Sequence, residues 1–381
     1  MMTKIMVSDE VSSLVEECAA LTRNKITNLK RLGNPAIGWF SVYTPEEIIY
    51  ASGITSFRIT GEEAVSSMHS RALMFTNLCP YTLSCLEEGL QGVYNFLDGV
   101  TIVNTCDVRR RLYDAWRRYV KTSFCHIIDL PRTVSQESKS YFKNQLTLFK
   151  KAIEEQFKRK ITDSSLREAI SVWNETRSLL TKLYDLRKNI KVPISGAEVL
   201  TIVKASMAGD KKHFNEILSR LLKEIAASPD RFNHRRQRVL ITGSYFDQTS
   251  LVELIEETGA IVVCEDLSNG LKYFEGLVDL TKEPIEALAE YYLEKAPCAR
   301  MVDSERRYDH ILRLTSQFKI DAVVYFTLKF CDSNLIDFPY QRQRLSQLGI
   351  PVLFLEGERA SVNLNQLKTR IEAFLEMGVD I

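Results

Sequence analysis

Apolar and polar positions along the chain switch repeatedly between a strand-like and a helix-like period. In PAIGWFSVYTPEEIIYASGITSFRITG, residues 35–61, a β-type run leads to a helix opened at Pro45 and reaching Ala51, a stop at Gly53 and a second β-type run. Residues 66–90, SSMHSRALMFTNLCPYTLSCLEEGL, are helical in composition, and Pro80 can open a new helix directly after Cys79. A strand over 100–104 follows, then a helix around 112–119 and, in KTSFCHIIDLP, a run with the pattern of a buried strand. Strands alternating with helices predict an α/β arrangement.

The pattern changes from Tyr141 to about Ala227, where apolar residues at helical spacing are mixed with many Lys, Glu and Arg. A break at 161–165 supplies Thr162 or Asp163 as an N-cap for the next helix. Alternation resumes in RRQRVLITGSYFDQTSLVELIEETGAIVVCEDLSNG, with a strand over 239–242, a loop over 243–247, a helix over 250–257 and a strand over 260–264. IDAVVYFTLKFCD, a helix through Arg344 and GIPVLFLEGE complete the second alternating unit. The expected fold class is therefore α/β, with two Rossmann-like α/β domains of mainly parallel sheets joined by a helical section. The expected boundaries are 1–135 for an N-terminal helix and the first α/β domain, 136–230 for the helical section, and 231–381 for the second α/β domain. Such sheets put ligand sites beyond the carboxyl ends of their strands, where Cys106, Cys331, Gly243 and Ser244 fall.

Composition narrows the function classes. Fifty basic and forty-nine acidic residues leave a formal charge of +1 with no long single-sign block, which argues against a nucleic-acid partner. The first residues, MMTKIMVSDEVSSLVEECAALTRNK, have an apolar patch interrupted by Asp9, Glu10, Glu16 and Glu17, unlike a signal peptide or a membrane span, and read as a surface helix. No run of eighteen apolar residues occurs elsewhere, so the expected location is cytoplasmic, with no membrane partner. Eight cysteines at such an address are not a disulfide framework. Cys18, Cys264 and Cys298 sit in apolar settings where a thiol behaves as a small hydrophobe.

Four passages carry a resemblance: GWFSVYTPEEIIYASGITSFRITG, LCPYTLSCLEEGL, FLDGVTIVNTCDVRRRLYDAW and KFCDSNLIDFP. Together they resemble the 2-hydroxyacyl-CoA dehydratase and benzoyl-CoA reductase family of oxygen-sensitive iron-sulfur subunits, from Gly38 to the final helix. The resemblance implies that Cys79, Cys106 and Cys331 hold a 4Fe-4S iron-sulfur cluster. Thiolates are the soft ligands such a cluster requires, and three of them leave one iron open to a non-cysteine ligand. The spacing alone lacks the tight C-x-x-C grouping of simple ferredoxins. Cys85, six residues after Cys79, is either a neighbour or a fourth ligand. His126, beside Cys125, reads as a core histidine rather than an iron ligand.

The same resemblance makes Ser41, Tyr43, Glu46 and Glu47 candidates to line an acyl pocket, with Glu47 and Ser41 as catalytic groups and Tyr43, Glu46 and Arg109 as substrate-binding ones. A carboxylate in a dry site can shuttle protons, although Glu46 and Glu47 also suit a helix start through the dipole. Arg109, Arg110 and Arg111 face CoA phosphates, a partner's acidic surface or simply solvent. Asp107 and Asp332 read as caps of the helices that follow. Ser56 departs from the family pattern, which often has proline before the arginine at Arg58.

What the resemblance implies about partners is a homologous second subunit, an acyl-CoA substrate and a separate ATP-dependent iron-sulfur activator protein that delivers single electrons. No G-x-x-x-x-G-K-[ST] loop occurs in this chain, so ATP is handled elsewhere. Two chemistries use the scaffold. A dehydratase turns the thioester of a 2-hydroxyacyl-CoA into a ketyl radical anion that expels hydroxide; a reductase adds electrons and protons to an aromatic ring. Dehydratase is the first expectation and the benzoyl-CoA type of reductase the second. A non-catalytic electron relay or structural partner is the alternative of another class. A nucleotide site at LITGSYFDQ is weakly supported, because a dinucleotide fingerprint needs several glycines.

Overall fold

Among the described residues, the β-type runs form eight strands in two separate sheets. The computed structural model describes residues 9–227, 232, 236–358 and 364–377. The first sheet contains β1 (Ala36–Trp39), β2 (Thr55–Arg58), β3 (Gly99–Asn104) and β4 (Phe124–Asp129) in the order β2-β1-β3-β4. The second contains β5 (Arg238–Gly243), β6 (Ile261–Asp266), β7 (Ala322–Leu328) and β8 (Val352–Gly357) in the order β6-β5-β7-β8. Every pairing is parallel, so the two sheets share one topology and the expected α/β class holds. All residues of β3, β6 and β7 are buried, as in sheets covered on both faces.

This topology decides where a ligand can sit. In each sheet the first strand has its second strand on one side and its third on the other, so the crevice beyond the strand ends opens between β1 and β3 and between β5 and β7. Ser41, Cys106, Ser244 and Cys331 follow these four strands within the next few residues.

Helices between the sheets do not form a free-standing layer. The helix Gln136–Phe157 packs on β4 and on the helix Pro284–Glu294, while Gly196–Ala205 packs on β6. Asp163–Leu186 packs against Lys211–Ala227 and against the short helix Glu46–Ala51. Its start is a capping box, in which the Thr162 side chain accepts from the Ser165 N–H and Ser165 returns the bond to the cap backbone. The first helix, Asp9–Arg23, buries Val11, Leu14 and Cys18 on these helices and keeps its acidic positions outward. Among the described residues, no helix is long and apolar enough to cross a membrane.

Candidate functional site

Three cysteines from three parts of the chain stand at equivalent structural positions. Cys79 is the N-cap of the helix Pro80–Leu90, Cys106 of Asp107–Tyr119 and Cys331 of Asp332–Gln347. In each, the backbone carbonyl accepts helix N–H bonds while the thiol makes no capping bond: Cys106 from Arg109 and Arg110, at 3.1 and 3.2 Å, and Cys331 from Asn334 and Leu335, at 2.9 and 3.1 Å. The thiols thus remain uncapped at the positive ends of three helices. Asp107 and Asp332 are in the first helical turns and the cysteines take the cap positions expected of them, which corrects that reading.

All three thiols line one cavity of about 130 Å³ between the ends of the two sheets. The chain reaches Cys331 through Phe330, whose φ of 60° is a left-handed conformation rare for an aromatic residue. Asn334 then donates an amide hydrogen bond to the Cys331 sulfur at 3.1 Å. Desolvation, and next the neighbouring Cys331, push the Cys79 thiol up to about 11. A metal binding there must therefore displace a proton.

Arg109 closes one wall of the same cavity. Its guanidinium lies 4.6 Å from the Tyr81 ring centroid and 5.5 Å from that of Phe40. The residue is only 8% exposed, and its Nη1 has no hydrogen-bond partner among the described residues. No carboxylate among the described residues pairs with it; its charge instead meets Tyr81, Cys106, Cys85 and Cys79. A buried guanidinium is costly without an anion, and three thiolates around an iron-sulfur core would supply one.

Arg58 is the second cation of the wall, a residue that no local sequence signal marks as part of a site. It donates to the Ser268 carbonyl at 2.6 Å and the Ser268 hydroxyl at 3.2 Å, and lies over Tyr245 at 4.7 Å. Tyr81 stacks on Tyr245 with centroids 4.0 Å apart, so aromatic faces from both halves of the chain meet at the cavity. Gly243, just before Tyr245, lets β5 lie close to β7: at φ 126° an added Cβ would collide with the Phe326 carbonyl oxygen.

The structure brings Ser41, Tyr43, Arg109, Cys79, Cys106 and Cys331 to this cavity, and it does not bring Glu46 or Glu47 there. Both glutamates point under the long helices instead. Glu47, fully buried, pairs with Arg177 and accepts from the Tyr292 hydroxyl at 2.8 Å. Glu46 accepts from Tyr273 at 2.6 Å and Ser56 at 2.8 Å. Ser56 thereby has a task that proline, lacking a donor, would not perform. Cys85 is fully buried off the cavity wall, its sulfur 3.9 Å from the Ile59 carbonyl. His126 packs between Phe124 and Phe149, and burial lowers it to about 4.

Cys298 departs in part from the expectation of a core residue. It packs against the apolar core at its edge and also lines the cavity, in a loop with no strand before it to signal a ligand position. Cys18 and Cys264 are core residues as expected.

Among the described residues, no three His, Cys, Asp or Glu side chains stand close enough to share a single metal ion. A four-iron cluster makes a different demand, one thiolate per iron with the sulfurs set apart around it. Spaced thiols around one cavity, helix starts behind them and an unneutralised guanidinium beside them fit that group.

The sequence model of the 2-hydroxyglutaryl-CoA dehydratase D-component family matches residues 41–377. The chain belongs to this family. Within it, the chain is 27% identical to the (R)-phenyllactyl-CoA dehydratase beta subunit of Clostridium sporogenes, covering 92% of this chain and 93% of that one. It is 25% identical to a benzoyl-CoA reductase subunit of Thauera aromatica, covering 89% and 90%. It is also 23% identical to the beta subunit of (R)-2-hydroxyglutaryl-CoA dehydratase from Acidaminococcus fermentans, covering 96% and 99%. The dehydratase D-component relatives are thus enzyme subunits of both the dehydratase and the reductase type.

Proposed function

We propose that this chain is the iron-sulfur subunit of a radical 2-hydroxyacyl-CoA dehydratase, converting a 2-hydroxyacyl-CoA to an enoyl-CoA with a homologous second subunit and an ATP-dependent activator in the cytoplasm. The observation that supports it most is the shared cavity of Cys79, Cys106 and Cys331, each at a helix start, in a chain of the dehydratase family. When bound by these three residues, a 4Fe-4S cluster supplies one-electron transfer.

The chain's own residues prepare the site for that chemistry. Three helix N-termini and Arg109 set positive charge around the place where a bound cluster, negatively charged with its thiolates, would sit. Phe40, Tyr81 and Tyr245 wall the cavity with aromatic surface and limit water, which would otherwise quench a radical anion. Ser41 and Tyr43 follow β1 and line the same cavity wall. The cavity, about 130 Å³, is well below the roughly 300–1,000 Å³ of pockets that enclose a drug-sized ligand, so CoA itself would extend toward the partner subunit.

The second reading is a subunit of an aromatic acyl-CoA reductase, favoured by the similarity to the benzoyl-CoA reductase subunit of Thauera aromatica. Product analysis separates the two. The chain, assembled anaerobically with its second subunit and activator, should release enoyl-CoA from a 2-hydroxyacyl-CoA. Dienoyl-CoA from benzoyl-CoA would establish the reductase instead, and turnover of neither would sink both.

A further inference from the structure

We propose that Cys298 is a fourth cysteine ligand, closing the cluster held by Cys79, Cys106 and Cys331, so that this subunit relays electrons and offers no open iron to substrate. The inference rests on the iron-sulfur reading above and assigns a role to a residue that reading leaves unused.

Three observations carry it. Cys298 lines the same cavity as the other three cysteines, whereas Cys85, the nearer candidate in sequence, is buried off the cavity wall. Its backbone is held from both sides: the Cys298 N–H donates to the Tyr43 hydroxyl at 2.9 Å, and its carbonyl accepts from the Met301 N–H at 2.9 Å. The loop is also tied to the helix that presents Cys331. Arg307 donates to the Met301 carbonyl at 2.7 Å and the Cys298 carbonyl at 3.4 Å, and grips the Asp337 carboxylate at 2.6 and 3.1 Å. Asp337 lies on the helix that Cys331 caps, so Arg307 ties the Cys298 loop to that helix.

Four thiolates saturate a four-iron cluster, one to each iron. On binding, the Cys298 thiol releases its proton to solvent as its sulfur joins the fourth iron, and no electron moves. The Tyr43 hydroxyl, expected from sequence to bind substrate, then acts as a positioning residue for the Cys298 loop.

The test uses the full chain purified anaerobically, as wild type and as Cys298→Ala, Cys298→Ser and Cys85→Ser. Iron content is measured, along with the electron paramagnetic resonance spectrum of the reduced cluster before and after adding cyanide, a ligand for an open iron. The wild-type spectrum should not respond to cyanide, the Ala variant should respond, the Ser variant should keep its iron with an altered spectrum, and Cys85→Ser should match wild type. Should the Ala variant hold no iron, the Ser spectrum decides. A wild-type spectrum that shifts with cyanide, or a Ser variant identical to wild type, overturns the fourth-ligand assignment and leaves the three-cysteine cluster standing. Iron-free wild-type protein overturns the iron-sulfur reading itself.

Discussion

The guanidinium of Arg109 lies on the face of Tyr81, 4.6 Å from its centroid, and turns toward the thiols with no carboxylate among the described residues to neutralise it. Removing that charge should make a bound cluster harder to reduce. Arg109→Gln should shift the midpoint potential negative by about 60–130 mV, which corresponds to loss of a charge-assisted interaction of about 1.5–3 kcal/mol. A redox titration followed by electron paramagnetic resonance measures this; an unchanged potential would place the charge too far from the cluster to matter.

Glu47 stands in a buried ion pair, and its substitution should act through folding. Removing one partner of such a pair leaves the other charge stranded and costs about 3–5 kcal/mol. Glu47→Gln, which strands Arg177, should lower the urea midpoint accordingly and still load iron wherever it folds. A variant of wild-type stability with lost turnover would return Glu47 to the chemistry.

Gly243 tolerates no side chain. Its φ of 126° and the Phe326 carbonyl 2.0 Å from an added Cβ combine a strained backbone with a direct clash. The same carbonyl accepts the Ser244 N–H at 3.0 Å, so moving it disturbs the β5–β7 crevice. Gly243→Ala should cost at least about 1–3 kcal/mol, read as a lower thermal midpoint, and should reduce iron content.

Glu256 should make the protein less stable as pH rises. Burial lifts its carboxyl from 4.5 to about 7, against the pull of N–H bonds from Gly196 at 2.8 Å and Val262 at 3.3 Å. Between those two values the unfolded chain gives up the proton while the folded chain keeps it, so this group's contribution falls as pH climbs through the window. Glu256→Gln retains the Oε1 acceptor without the charge. It should match wild type near pH 4.5 and exceed it by up to about 3 kcal/mol at pH 8. Urea denaturation at both pH values checks this, and an equal difference at the two would contradict it.

The strands were legible because local signals mark them, whereas the three cysteines were singled out by the family resemblance. Period-two runs end where Pro and Gly punctuate the chain, and Cys79, Cys106 and Cys331 each come immediately before a helix start. The direction of Glu46 and Glu47 was not legible. Both open a six-residue helix whose first four residues are all buried, and the partner that claims Glu47 is Arg177, 130 residues away. Local pattern cannot identify so distant a counter-charge. Cys298 lacked a signal for a related reason: the contacts that bring its loop to the cavity, Tyr43 and the Arg307–Asp337 pair, are tertiary.

The central claim is that Cys79, Cys106 and Cys331 hold a cluster. The most direct test is iron and acid-labile sulfide per chain after strictly anaerobic purification, for wild type and for Cys106→Ala. The account predicts about four of each per wild-type chain, as a four-iron four-sulfur cluster requires, and substantial loss in the variant. Folded wild-type protein without iron, never exposed to oxygen, would contradict it.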